Sequence, residues 1–150
     1  TGNGVRPIKN NFMHYLEPRG YSTHERNNPS RYDAFNSEEE IGVEWETGNI
    51  SSSHRALNRI FVSMRNDEAQ IGYLVLPSRN LYRFLTDRIG NFEELEPYFD
   101  LYSDMFDHLP FLEDKCLFII AFEQDEEEED APLIPKGSEG MSALSDSYRS

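Results

Sequence analysis

Ile41-Gly42-Val43-Glu44-Trp45-Glu46-Thr47-Gly48-Asn49 is the stretch on which the reading of this 150-residue chain turns. Successive side chains of a strand point to opposite faces, so Glu44 and Glu46 share one face and Ile41, Val43 and Trp45 the other. A sheet with one face on a core and one carrying polar chemistry needs that split. Eleven residues before Glu44 stands Asp33, inside a second strand-like run, Arg31-Tyr32-Asp33-Ala34-Phe35. The segment between, Asn36-Ser37-Glu38-Glu39-Glu40, is polar enough to turn. A hairpin folded about Glu38 and Glu39 sets Asp33 opposite Glu44 and Arg31 opposite Glu46. Facing Cβ atoms in such a pair lie about 4.5–5.5 Å apart. Two carboxylates that close repel unless a divalent cation sits between them or one keeps a proton. A solvated hairpin face is the plainer alternative, and pattern alone leaves it open.

The surrounding pattern places the hairpin in a larger unit. Residues 7–16 read as a helix, with Pro7 in the first turn and Ile8, Phe12, Tyr15 and Leu16 as its apolar stripe; Pro18 and Gly20 end it. A short strand is expected over 21–26, closed by Asn27-Asn28-Pro29-Ser30. After the hairpin, Ser51-Ser52-Ser53 offers an N-cap to a helix whose face is Leu57, Ile60, Phe61 and Met64. Residues 70–76 form an apolar run without helical period, a buried strand ended by Pro77. The order is α-β-β-β-α-β. A helix over 79–89 follows, then an aromatic and acidic stretch over 92–106 broken at Pro97. Residues 116–122, Cys-Leu-Phe-Ile-Ile-Ala-Phe, make the most apolar strand. Residues 1–122 thus read as one domain with its core at 5–78, and 123–150 as an acidic segment and disordered tail.

Composition narrows the function. No signal-peptide pattern is found, and no apolar run approaches the roughly 20 residues a membrane span requires. A single cysteine, in a strand read as buried, excludes a disulfide framework and fits a reducing, cytoplasmic setting. One Cys and four scattered His match no zinc spacing. The net charge of −14 argues against phosphate binding, but its distribution weakens the objection. Residues 1–60 carry eight acids against seven Lys and Arg, whereas seven acids crowd into residues 123–130.

With its αβββαβ order, an acid on the second strand and an acid pair on the third, the sequence resembles the PD-(D/E)XK nuclease superfamily. The resemblance covers about half the chain, residues 5–78. It implies an α/β fold with a mixed sheet flanked by helices, extended here by C-terminal helices and one added strand. It matches Asp33 and Glu44 to the metal-holding acids. The superfamily's lysine position, two residues after the second acid, holds Glu46. BamHI-like restriction endonucleases carry Glu-x-Glu there and BglII-like ones Glu-x-Gln, and Glu44-Trp45-Glu46-Thr47-Gly48-Asn49 is similar to that branch.

The resemblance implies a Mg²⁺-dependent DNA endonuclease of restriction or defence, with Mn²⁺ able to substitute. Asp33, Glu44 and the Trp45 carbonyl would hold the metal, and Glu46 would orient or deprotonate the attacking water. A simple pair with Arg31 is the rival role for Glu46. Glu17 is either an extra ligand or a solvated helix-end residue. Asn49, Ser51, Ser52, Ser53, His54 and Arg55 gather at a helix N-terminus, where free N–H groups favour a phosphate of double-stranded DNA. A homodimer would give one subunit to each strand. A catalytically inactive nuclease-fold binding or assembly module is the alternative, separated by whether Asp33, Glu44 and Glu46 converge.

Overall fold

The computed structural model describes residues 2–23, 28–85 and 89–135. Helix α1 (Arg6–Leu16) starts with Pro7 in its first turn, where the missing N–H costs nothing. It tightens into a 3₁₀ turn, Glu17–Arg19, and stops at Gly20, whose φ of 92° is left-handed. Strands β1 (Ala34–Asn36) and β2 (Ile41–Trp45) form the expected hairpin: Ala34 faces Val43, Phe35 faces Gly42 and Asn36 faces Ile41. One step further along that register, Asp33 falls opposite Glu44. The turn is set by Asn36, whose Oδ1 accepts the Glu39 N–H at 3.0 Å, and by Glu40 at φ 54°. A Cβ at Gly42 would run into the Tyr32 ring, so that ring can lie flat over β2 only because glycine is there.

Helix α2 (Ile50–Arg65) crosses over to β3 (Ile71–Pro77), which pairs parallel with β2, Glu44 facing Leu74. A one-turn α3 (Arg79–Tyr82), a short α4 (Phe92–Leu95) and α5 (Phe99–His108) lead to β4 (Cys116–Phe122), parallel to β3. The mixed sheet runs β1-β2-β3-β4. Its faces are sealed by different helices. Met13 and Leu16 of α1 pack with Val43, Trp45 and Val75 on one side. Leu57, Ile60 and Met64 of α2 pack with Leu74 and Leu76 on the other, joined by Phe99, Tyr102 and Phe106. Each fully buried aliphatic side chain contributes about 1.5–3 kcal/mol. The aromatic cluster of the second half is therefore core. No helix among the described residues is long and apolar enough to cross a membrane.

Four expectations need correction. The strand expected over 21–26 is a single bridge between Ser22 and Phe35, with residues 24–27 outside the described set. The helix expected over 79–89 is one turn, after which Leu85 bridges to Asn3; residues 86–88 lie outside the description. Strand β4 lies at the edge of the described sheet with one face left open: Cys116, Phe118 and Ile120 are exposed, the last two at 46% and 41%, while Leu117 and Ile119 pack on the core. An apolar sequence cannot say how many neighbours its strand will have. Finally, residues 131–135 fold back on the N-terminal segment: Gly4 N–H donates to the Ile134 carbonyl and Ile134 N–H to Asn3 Oδ1, both at 2.8 Å. The remainder of the expected tail, residues 136–150, lies outside the described residues.

Candidate active site

Asp33, just ahead of β1, is fixed at both oxygens. The Trp45 N–H donates to its Oδ2 at 2.8 Å, and Lys9 Nζ, from α1, donates to Oδ1 at 3.1 Å. Glu44 lies one residue from Trp45 on β2, yet its surroundings differ sharply. The face it shares with Leu74 is covered by α2, and the residue is 2% exposed. The expected polar, open face is thus a lid-covered one. Arg59 on α2 donates from Nη1 to Glu44 Oε1 at 2.9 Å. The Arg59 head reaches the buried carboxylate while 47% of its side chain stays exposed.

Glu46 follows the strand. Its own N–H donates to the Val75 carbonyl at 2.8 Å, and its Oε1 accepts the Gly48 N–H at 2.7 Å. Arg31 does not pair with it, which removes the rival role; Arg31 sits at φ 56°, out of the extended conformation that would have set it opposite Glu46. Glycine fits at 48 without displacement, because a Cβ would stand 2.7 Å from Glu46 Oε1 and 2.8 Å from Ser52 Oγ and force those side chains to shift.

Electrostatics tie the acids together. Burial, then the Asp33 charge, push the Glu44 carboxyl up to about 7, against the lowering effect of Arg59 and with a further push from Glu46. The Glu46 carboxyl is also raised, first by burial and then by Asp33, while the Gly48 N–H and the charges of Lys9 and Arg55 pull it down. Arg59, held by Glu44, is raised in turn. The three carboxylates therefore sit in one field, incompletely neutralised by Lys9 from α1 and by Arg55 and Arg59 from α2. That is an environment a divalent ion relieves. The donors are all hard oxygens, which suits Mg²⁺ or Mn²⁺ and not zinc. Among the described residues no three His, Cys, Asp or Glu side chains are grouped closely enough to cage a metal by themselves. A hard divalent ion asks less than such a cage, one or two carboxylates with water and phosphate oxygens.

The N-terminus of α2 opens beside this cluster. Asn49 is its cap, its side chain accepting the Ser52 N–H at 3.1 Å; the serine run does not supply the cap. Asn49, Ser51 and Arg55 are exposed, and Arg55 Nη2 donates to Ser52 Oγ at 2.9 Å. His54 is half-buried, edge-on to Tyr98. Ser53 turns inward and is fully buried, its Oγ without a hydrogen-bond partner among the described residues. Gly90 N–H donates to the Gly48 carbonyl at 2.8 Å, tying this turn to a second loop. Glu17 is exposed and accepts from Thr23 Oγ1. Gln70 clamps Glu40 and Asp67, a structural duty.

The whole of this arrangement falls within a known sequence pattern: residues 1–141 match the family described as Restriction endonuclease BamHI. The chain belongs to that family. It is 42% identical over 147 residues to the type II restriction enzyme OkrAI of Oceanobacter kriegii, covering 93% of this chain and 73% of that one. It is 42% identical over 105 residues to the type II restriction enzyme BamHI of Bacillus amyloliquefaciens, covering 70% of this chain and 45% of that one. Membership places the chain among the DNA endonucleases of restriction and defence, which work with a divalent metal. The restriction-endonuclease-like α/β fold expected from the hairpin is the observed one. What local reasoning missed in the site are its cations, Lys9 and Arg59. Neither lies at a motif spacing, and only helix-on-sheet packing brings them in.

Proposed function

We propose that this chain hydrolyses phosphodiester bonds of double-stranded DNA with Mg²⁺, which Mn²⁺ can replace. The observation that carries the reading is Glu44: a carboxylate buried beside Asp33, pushed up to about 7 and only partly answered by Arg59. Nothing in core packing requires such a group, and active sites are where such shifts concentrate. Asp33, Glu44 and the Trp45 carbonyl would hold the metal, which when bound would supply an activated water and charge stabilisation at the scissile phosphate. The Trp45 N–H keeps Asp33 turned toward the site. Glu46, oriented by the Gly48 N–H, receives the proton of the attacking water; its raised carboxyl makes it a better base than an ordinary glutamate.

Asn49, Ser51, Ser52, His54 and Arg55 face the DNA from the start of α2, where unpaired N–H groups and the helix dipole attract phosphate. Ser53 supports them from within. A homodimer, one subunit per strand, completes the reading. Val62 on α2 and Leu101 on α5, left 56% and 55% exposed, are apolar surface available to a second copy. The unpaired Cys116 fits a reducing cytoplasm. The competing reading is a binding module with a dead site. It draws on the lack of a three-ligand cluster among the described residues and on the Arg59 bond that already holds Glu44.

Plasmid cleavage separates the two. Supercoiled DNA is incubated with the chain and with Glu44→Gln in Mg²⁺, Mn²⁺ or EDTA across a salt series. Metal-dependent cutting that the substitution abolishes is expected. A folded chain that binds DNA but cuts in no metal leaves the binding module standing.

A further inference from the structure

The acid cluster has a lysine, but not on the strand that carries the acids. Two residues after Glu44 the chain places Glu46, so β2 brings no cation of its own. Lys9 comes instead from α1, on the other side of the sheet from Arg59. Its Nζ donates to Asp33 Oδ1 at 3.1 Å, and its charge also acts on Glu46. Arg59 is engaged with Glu44. Lys9 and Asp33 are 25% and 26% exposed, so their pair borders solvent. It forms one end of a polar pocket of about 410 Å³, lined also by Asn10, His14, Glu17 and Arg31. A lysine ammonium has three donors, and one bond to Asp33 leaves two free to turn outward. A half-buried pair at the edge of solvent is only modestly stabilising, so the lysine can share its donors.

We propose that Lys9 contacts a non-bridging oxygen of the scissile phosphate, supplying from α1 the cation that β2 lacks. This rests on the nuclease reading above, since it is the ion held at Asp33 that would bring the phosphate to the lysine. In the free chain Lys9 offsets Asp33. With DNA bound it shares its donors between Asp33 and the phosphate, holding the phosphorus in line with the water oriented by Glu46. The pocket beyond Lys9 is open to the neighbouring phosphate, and Arg31 on its wall is exposed.

The test uses the full chain, Lys9→Met and Lys9→Arg, with circular dichroism and melting confirming that each folds. The probe is a duplex carrying the sequence at which the wild-type chain cuts plasmid DNA. Binding is measured in EDTA over a salt series, and cleavage under single-turnover conditions. Loss of one phosphate contact should lower the slope of log K against log salt by about 0.9 in Lys9→Met, with Lys9→Arg close to wild type. Single-turnover cleavage by Lys9→Met at saturating protein should fall about 10²-fold or more, as for removal of one donor at a developing charge, on top of the affinity lost with the phosphate contact. Lys9→Met with an unchanged slope and unchanged cleavage overturns the proposal. So does an unchanged slope with only a lowered melting temperature, which would make Lys9 a structural partner of Asp33. Failure of the wild-type chain itself to cut in any metal is a different result, and removes the nuclease reading together with this one.

Discussion

Replacing Glu44 by Gln should stabilise the free protein while abolishing cleavage. The carboxyl is raised from 4.5 to about 7, which corresponds to about 3 kcal/mol against its ionised form in the folded state. That figure already contains the help of Arg59. The sign follows from proton binding. Below 4.5 both folded and unfolded chains hold the proton, and pH has no effect through this group. Between 4.5 and 7 the folded state keeps a proton that the unfolded state has released, so stability falls as pH rises. Above 7 the whole penalty is present. Gln has nearly the same shape, never ionises, and still offers Arg59 an acceptor. Part of the gain is lost because a neutral acceptor is weaker than a carboxylate. The net at pH 8 is a gain of about 1–3 kcal/mol, or about 3–10 °C in melting temperature for a chain of this size. At pH 5 the gap should shrink to under about 1 kcal/mol. Scanning calorimetry at pH 5, 6, 7 and 8 in EDTA reads this directly. Mg²⁺ should then raise the melting point of the wild type and leave Glu44→Gln unmoved, because only a state that binds the ion is stabilised by it. A variant that melts below the wild type at pH 8 refutes the reasoning. A gap equal at pH 5 and pH 8 does the same, since it would owe nothing to ionisation.

Three further outcomes follow from the same geometry. Binding of Mg²⁺ to the DNA-free chain should release close to one proton per ion at pH 6 and almost none at pH 8, read by calorimetry in buffers of different ionisation enthalpy, because Glu44 must ionise to bind. Asp33, Glu46, Lys9 and Arg59 are the charged groups around it; a release that does not change with pH would deny Glu44 that place. Gly48→Ala should lower stability by about 1–3 kcal/mol and depress cleavage further than stability explains, since the added Cβ meets both Glu46 Oε1 and Ser52 Oγ. Wild-type melting with full cleavage would show that the turn yields freely. Cys116 should react with a thiol reagent at the rate of a free cysteine without denaturant, being exposed on β4; protection in the native chain would mean that this face is covered in solution.

The acids were legible because they obey a local rule. A period of two sets Glu44 and Glu46 apart from Val43 and Trp45, and a four-residue polar loop leaves one register that brings Asp33 to Glu44. Helix α2 was legible for the same kind of reason, since Leu57, Ile60 and Met64 repeat at helical spacing and all three are buried. The burial of Glu44 was not. Alternation says which side of the strand it leaves, and nothing about whether a helix will lie there. The run over 79–89 shows the reverse error: its apolar period is real, with Leu81, Leu85 and Ile89 all in one small cluster, but the chain meets that spacing with one helical turn and a bridge to Asn3.

The cations were illegible for a deeper reason, and it bears on how the site is made. Lys9 lies 24 residues before Asp33, and Arg59 lies 15 after Glu44. Each rides a helix whose position is fixed by apolar residues unrelated to charge: Met13 and Leu16 for α1, Leu57 and Ile60 for α2. The acids come from one hairpin and would repel in isolation, so the hairpin alone is a poor site. Packing α1 on one face and α2 on the other brings Lys9 from one side and Arg55 and Arg59 from the other, enough to let the chain fold with its carboxylates in place. It is not enough to quench them, as the raised Glu44 shows. The remaining imbalance is what a divalent ion and a DNA phosphate can use together, the ion answering the acids and the phosphate answering Lys9. A site balanced fully by its own helices would fold more stably and bind neither.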